Sequence, residues 1–546
     1  MKKLNKNKIL KVVGAIFLFV LLAVIYFEYP MTIMPDSTEY YGYLKIFYGQ
    51  EPFSSWNIVR GPSFPFVLYI FSLIFGNNQL GLLIGSFVLY CIMLIIGFKF
   101  IKDIGYRNKF EKIVCYIIYI FGIMFNPMII GYMHGLLTEM VAIPMFVITV
   151  FLCSKWIKKD LKLWKKIVLS IALVINCTFM WFLKQPYVFI AFAPVFISGL
   201  ISIFEKPKLK NIIYRLGVIV TSVVLVIVGI QIWNAILSYN HIDDSSGRDT
   251  NSMIKGAIIT GNTAFSIDFY EEHYQKDYIS NSNLISNEDK EEIIKVIDGD
   301  SEYKSFKLIN VFNNFSSREE DNISKKIVLF SKENDFTTSD ALKMYFKLIT
   351  KYPGKTIKSY IANYLAIADV VPSVRHKDAN VYYPSTTSGY YYENQSIGYS
   401  IFYCEDNMLW LDESHYLYEN VRNLKEDNNS SKRLNKIIYS DFGAVNFVFK
   451  ATIVLIPALM IFLIIALIAT NKKKIKNTNL KIALIIIGSA FIHILFHAMT
   501  GAIIDRYAIP VWPACIIAIL IILFGRYSVK IDNDVNNVSE IEEKIN

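Results

Sequence analysis

Apolar residues in this chain are gathered into long runs separated by short basic stretches, a pattern that predicts helices crossing a lipid bilayer. A hydrocarbon core about 30 Å thick needs about 20 apolar residues in a helix, because only a helix or a closed barrel pairs its own backbone N–H and C=O groups where water is absent. About ten runs meet that requirement: 9–27, 79–101, 113–130, 136–154, 167–183, 187–204, 216–233, 447–469, 482–499 and 508–524. The stretch 64–75, opened by Gly61-Pro62-Ser63-Phe64-Pro65, is too short to cross and is expected at an interface. The first run follows a basic start, as a signal peptide does, but it is long and lacks a small-residue cleavage site before Glu28 and Tyr29. It reads as a retained anchor helix.

Charge between the spans is one-sided. Lys2, Lys3, Lys6, Lys8 and Lys11, with the stretches 102–112, 155–166, 206–215 and 472–481, fall on one side and are rich in Lys and Arg. The opposite short loops hold chiefly Lys45, Arg60, Lys184 and Arg506. The positive-inside rule then puts both termini in the cytoplasm and the polar stretch 238–445 outside a cell membrane. The expected fold class is an all-α polytopic bundle of about ten transmembrane helices with a mixed, mainly helical outer domain. Its parts are a transmembrane module at 1–237 with its first outer loop at 28–78, the outer domain at 238–445, C-terminal membrane helices at 446–526 and a cytoplasmic tail at 527–546. Within the outer stretch, Ser339-Asp340 suits the cap of a helix running to Pro353, and 356–370 continues an amphipathic pattern that would lie along the membrane. The Tyr-rich run 381–392 reads as a Ser/Thr/Gly-rich loop more readily than as a platform for sugar rings.

Composition agrees with a lipid environment: 54% of residues are hydrophobic and the mean hydropathy is +0.38, beyond what a soluble domain requires. The net charge of +10 does not point to nucleic acid, because the basic residues sit in short clusters between apolar runs. Five cysteines, Cys91, Cys115, Cys153, Cys177 and Cys515, fall in apolar runs, and Cys404 alone lies in the polar stretch, so no external disulfide pair is expected.

Ionisable side chains near hydrocarbon cost about 2.5–3.5 kcal/mol each at mid-bilayer and less towards an interface, so their placement is informative. Here they gather at one expected boundary. Asp36 and Glu39 follow the first span, Arg60 precedes the short apolar stretch, and His134 and Glu139 start the fourth span. Lys184 ends the fifth, and His497, Asp505 and Arg506 join the last two. Pro35-Asp36-Ser37-Thr38-Glu39 predicts a turn entering a helix, with Asp36 as N-cap and Glu39 as its capping-box partner. Local sequence favours this capping role, although an N-cap carboxylate can still face a substrate. Arg60-Gly61-Pro62 sets a cation beside a rigid turn, which suits a bound phosphate and an interfacial anchor equally. Glu139 suits the positive end of its own helix, and Lys184-Gln185-Pro186 marks a span boundary. His493 and His497 share a helix face; without an adjacent carboxylate in a zinc pattern they read as a packed polar pair, and no metal is assigned.

Read in order, several of these segments resemble the GT-C superfamily of membrane glycosyltransferases, in particular the branch of protein O-mannosyltransferases and bacterial aminoarabinose transferases. They are Met34-Pro35-Asp36-Ser37-Thr38-Glu39-Tyr40, Arg60-Gly61-Pro62-Ser63-Phe64-Pro65, Leu136-Leu137-Thr138-Glu139 and Leu183-Lys184-Gln185-Pro186. The most specific is Asp505-Arg506-Tyr507-Ala508-Ile509-Pro510-Val511-Trp512-Pro513, similar to an Arg-Tyr motif followed by spaced prolines. The resemblance covers the membrane part and leaves 238–445 unmatched.

The resemblance implies inverting transfer of a sugar from a polyprenyl-phosphate donor to a glycan, lipid or protein acceptor of the cell envelope, at the outer face. Asp36 would be the general base, with Glu39 and Glu139 as secondary acids. Arg60, Lys184 and Arg506 would bind the donor phosphate, and Tyr40, His134, His497, Asp505 and Tyr507 would line the site. The pattern also departs from the family. Ser37 follows Asp36 where some members carry a second acid, and Val59 precedes Arg60 where the aminoarabinose transferases carry an acidic residue. A divalent metal is therefore left open and no cofactor is assigned. Two rivals remain: a lipid-glycan flippase or transporter, which would more often show repeated halves and a polar midplane, and a non-enzymatic glycan-binding envelope protein.

Overall fold

A computed structural model describes residues 6–27, 31, 37–56, 60–106, 108–158, 161–204, 209–240, 353–368, 370, 442–472, 477–500 and 505–525, with residues 287, 291 and 350 singly. Among them the architecture is helical, without strands. Eight helices are long and apolar enough to cross a membrane, which makes this a multi-pass membrane protein. Three shorter apolar helices, Val12–Phe27, Ser63–Phe75 and Ile509–Phe524, accompany them. The last expected span is shorter than the eight, the first is a helix of 22 residues, Lys6–Phe27, and the short stretch before Gly76 is the short helix the sequence indicates. The helix at Pro353–Ile367 lies on the bundle itself, and the rest of the expected outer domain falls almost wholly outside the described residues, as do Ser339, Asp340, the run 381–392 and Cys404. The other five cysteines are free thiols.

In chain order the helices are α1 (Lys6–Phe27), α2 (Ser37–Phe47), α3 (Ser63–Phe75), α4 (Gln79–Lys102), α5 (Lys109–Tyr119), α6 (Pro127–His134), α7 (Glu139–Trp156), α8 (Leu163–Leu183), α9 (Val188–Phe204), α10 (Leu209–Tyr239), α11 (Pro353–Ile367), α12 (Phe442–Lys472), α13 (Thr478–Thr500) and α14 (Trp512–Phe524). Local chemistry sets several boundaries. The Asn78 side chain accepts from the Gly81 amide at 2.8 Å and starts α4, and Asn108 does the same for α5 through Glu111. Between α5 and α6 the chain makes a π-helical turn, Ile120–Met124. Carbonyls are released there, and the buried Tyr90 hydroxyl donates to Ile123 and Met124 oxygens at 2.8 and 3.0 Å. Asn126 then caps α6 through the Met128 and Ile129 amides, with Pro127 at the first position, where its missing N–H has no consequence.

Burial ranks the helices. Of its apolar window, α7 has 72% buried, α10 only 17% and α12 28%, so α7 forms the centre and the other two face lipid. α7 packs against α4, α8 and α9, while α13 packs against α9, α11, α12 and α14. At one end of the bundle Lys99 and Lys155 both lie over the Phe151 ring, at 5.2 and 4.8 Å, and Arg215 lies over Trp156 at 5.0 Å. Aromatic and basic side chains of this kind suit a headgroup boundary.

The other end is assembled from turns. The His134 ring contacts the Ile130 oxygen and the Tyr26 oxygen at 2.8 and 2.7 Å, which fastens the end of α1 to α6. The buried Ser37 hydroxyl donates to the Leu136 oxygen at 2.8 Å, so the start of α2 lies on the turn leading into α7. Gly61 presses on the backbone of Phe182, near the end of α8, so closely that a Cβ would fall on the Phe182 carbonyl. We expect Gly61→Ala to lower thermal stability in detergent by about 1–3 kcal/mol through overpacking. Gly42→Ala, which meets nothing within 4 Å, should leave the melting temperature unchanged or raise it; equal behaviour of the two variants would contradict the packing described.

Candidate functional site

The turns at this end meet around one carboxylate. Glu139, the first residue of α7, has a side chain only 1% exposed. The Tyr187 hydroxyl donates to its Oε1 at 2.8 Å, and the Thr138 hydroxyl donates to Oε2 at 3.2 Å. Lys184 Nζ stands 3.8 Å and Arg506 Nε 3.6 Å from Oε1, both as ion pairs beyond hydrogen-bonding distance. Each position follows from the local fold. Lys184 is the extended residue ending α8, and the Gln185–Tyr187 turn built on Pro186 brings Tyr187 back beside it. Arg506 lies in a one-turn helix, Asp505–Tyr507, between α13 and α14.

Rings complete the arrangement. Lys184 Nζ lies 4.4 Å from the centre of the Tyr507 ring, and Arg506 Cζ lies 5.5 Å from it. His497 stacks on Tyr507 with centroids 4.3 Å apart, and His493 meets His497 edge to face at 4.7 Å. The His493 Nε2 contacts the Tyr507 carbonyl at 2.9 Å, and that contact requires the proton on Nε2. The two histidines are buried in the bundle as a packed pair, as the sequence indicates. Among the described residues no three His, Cys, Asp or Glu side chains gather closely enough to hold a metal ion.

The remaining sequence candidates are distributed around this core. Arg60 Nη1 donates to the Tyr40 hydroxyl at 3.3 Å, with Cζ 5.2 Å from the Tyr40 ring. This pair adjoins the cluster through the chain, since Ser37 rests on Leu136 and Gly61 on Phe182. His134 is engaged by the Tyr26 and Ile130 carbonyls, as a tie between helices. Asp36 lies outside the described residues, immediately before the first residue of α2, and the side chains of Glu39 and Asp505 lie outside them too. Sequence reading passed over Tyr187 and gave His493 no part in the site. The available signal for Tyr187 was its place just after Lys184-Gln185-Pro186, where a proline-containing turn folds the chain back.

Charge defines what the cluster can do. Among the described side chains two cations, Lys184 and Arg506, face one carboxylate at the end of a lipid-embedded bundle. Glu139 is sealed, but the Lys184 and Arg506 side chains each retain 17% exposure. Two partly exposed cations side by side are suited to an anionic ligand reached from the exposed side.

No protein-family model, curated protein or solved structure matches the chain.

Burial pushes the Tyr507 phenol up, but the Lys184 and Arg506 cations and a hydrogen bond from Arg506 outweigh burial and the opposing Glu139 charge, lowering it to about 8. The stability contributed by its phenolate is therefore fully present above the unfolded value near 10 and is lost as pH falls through about 8. Phenolate absorbance of the wild type minus Tyr507→Phe should rise with a midpoint near 8, and Lys184→Gln should move that midpoint upward. A midpoint unmoved by Lys184→Gln would refute the cation contact. Glu139→Gln removes the charge that the two cations share, and should destabilise the fold by about 3 kcal/mol in thermal unfolding.

Proposed function

We propose that the chain is a membrane glycosyltransferase that moves a sugar from a polyprenyl-phosphate donor to a cell-envelope glycan, lipid or protein at the outer face of the membrane. One observation carries this reading: Lys184 and Arg506, from turns far apart in the sequence, converge on buried Glu139 at the end of the bundle where Ser37 and Gly61 also pack. These contacts bring together segments that share the order and residue types of the GT-C motifs. Two partly exposed cations at the end of a lipid-embedded bundle fit a phosphate whose lipid tail stays in the bilayer.

The chemistry requires few groups. An acceptor hydroxyl attacks the anomeric carbon on the face opposite the phosphate, and the new C–O bond forms as the sugar–phosphate C–O bond breaks. Attack from that face gives inversion. The electron pair leaves with the polyprenyl phosphate, whose charge Lys184 and Arg506 offset, with Arg60 as a third cation. The hydroxyl proton passes to a base, a role assigned here to Asp36. A single carboxylate suffices because the phosphate departs as an anion without being protonated. Glu139 acts as a positioning residue, holding the cations.

Purified protein given a synthetic polyprenyl-phosphate sugar should release polyprenyl phosphate and glycosylate an envelope acceptor, read by mass spectrometry. Asp36→Asn should lower kcat by about 10²–10⁴-fold with little change in KM. Lys184→Gln and Arg506→Gln should raise KM for the donor and lower kcat. Full turnover in Asp36→Asn would remove the assigned base. Donor binding without release by the wild type would favour a carrier or a binding protein.

A further inference from the structure

The helix α11 comes from the chain between α10 and α12, yet it packs against α13 and the Asp505–Tyr507 turn, directly beside the cluster. Its two consecutive polar residues have specific partners. Asn363, 1% exposed, donates from Nδ2 to the Ala498 oxygen at 2.8 Å. Ala498 stands among the last four residues of α13, whose carbonyls have no amide partner within the helix. Tyr364 donates to the Ile453 oxygen of α12, also at 2.8 Å. That carbonyl would normally pair with the amide four residues on, but Pro457 stands there and has no N–H. Around these bonds Ile367 and Ala368 are fully buried, and the Tyr364 ring lies 6.4 Å from Phe491 on α13. Asn363 and Tyr364 thus each satisfy a carbonyl left open by a helix end or by a proline, in a setting where an unsatisfied carbonyl is costly.

We propose that α11 is a clasp that locks the end of α13 to α12, and that Asn363 and Tyr364 are positioning residues for the cluster at Lys184, Arg506 and Tyr507. The route is short. Ala498 follows His497, whose ring stacks on Tyr507, and Tyr507 carries both cations against its ring. Fixing the last turn of α13 fixes that ring, and with it the geometry in which the cations face a ligand. The clasp stands on these contacts alone; only its kinetic consequence rests on the glycosyltransferase reading.

The test uses the full chain with Asn363→Leu, nearly isosteric, and Tyr364→Phe, which loses only the hydroxyl. Both are neutral, so neither changes the field at Tyr507 directly. Groups facing that phenol are Lys184, Arg506, Glu139, His493, His497 and Tyr187, and all are retained. The first readout is the phenolate midpoint of Tyr507, taken by difference against the same variant carrying Tyr507→Phe. The second is KM against kcat with a synthetic polyprenyl-phosphate sugar. Each variant should raise the midpoint from about 8 towards 10. Each should also raise donor KM by roughly three- to tenfold, the loss expected for one hydrogen bond, with kcat changed less than about twofold. A midpoint unmoved in both variants overturns the clasp; if Asn363→Leu fails to fold, Tyr364→Phe decides. A shifted midpoint in a protein whose wild type transfers no sugar supports the clasp and rejects the glycosyltransferase reading.

Discussion

A charged carboxylate sealed at the edge of a lipid-embedded bundle persists only if its compensation is built around it. Glu139 meets that constraint with two cations and two hydroxyls drawn from the cap of α7, the end of α8 with the turn after it, and the turn between α13 and α14. Desolvating an ion costs several kcal/mol, so the partners must arrive together and hold their geometry. Much of the fold at this end serves that requirement. The Pro186 turn, the His493 contact with the Tyr507 backbone and the stacking of His497 on Tyr507 each fix one arm of the cluster.

The same logic runs through the polar contacts elsewhere. Where a helix is interrupted, a side chain from another helix takes up the released backbone group. Tyr90 serves the π-helical turn between α5 and α6, and Tyr364 serves the carbonyl opposite Pro457. In water such groups would simply be hydrated; in a bilayer each becomes a specific interhelical bond. Polar residues inside this bundle therefore act as joints between helices, and their positions are set by the irregularities of the backbone.

Helix placement was largely legible in the sequence because lipid imposes a coarse, one-dimensional rule: long apolar runs become helices, and the interior runs at 79–101, 167–183 and 482–499 do so nearly at their expected limits. The start of α7 was less legible. Residues 136–138 are as apolar as a span, yet Leu136 gives its carbonyl to Ser37 and the helix begins only at Glu139. The gathering of Glu139, Lys184 and Arg506 at one end could be anticipated from the side of the membrane each was expected to face. Their mutual pairing could not, because it depends on how far each turn reaches inward. Tyr187 and Asn363 carried no composition signal, as a lone tyrosine or asparagine near a span end is ordinary. Their roles come from the backbone atoms they meet, and hydropathy does not record those.

The helices that flank the long polar stretch in sequence, α10 and α12, have the smallest buried shares among the eight long spans. Their flanks are given over to acyl chains, whereas α7 is nearly enclosed by protein. Changes in bilayer thickness act on lipid-facing surface, so they reach these two helices before they reach the centre. Compliance is thereby kept at the periphery, while the carboxylate and its cations sit at the end of the span with the largest buried share of the eight.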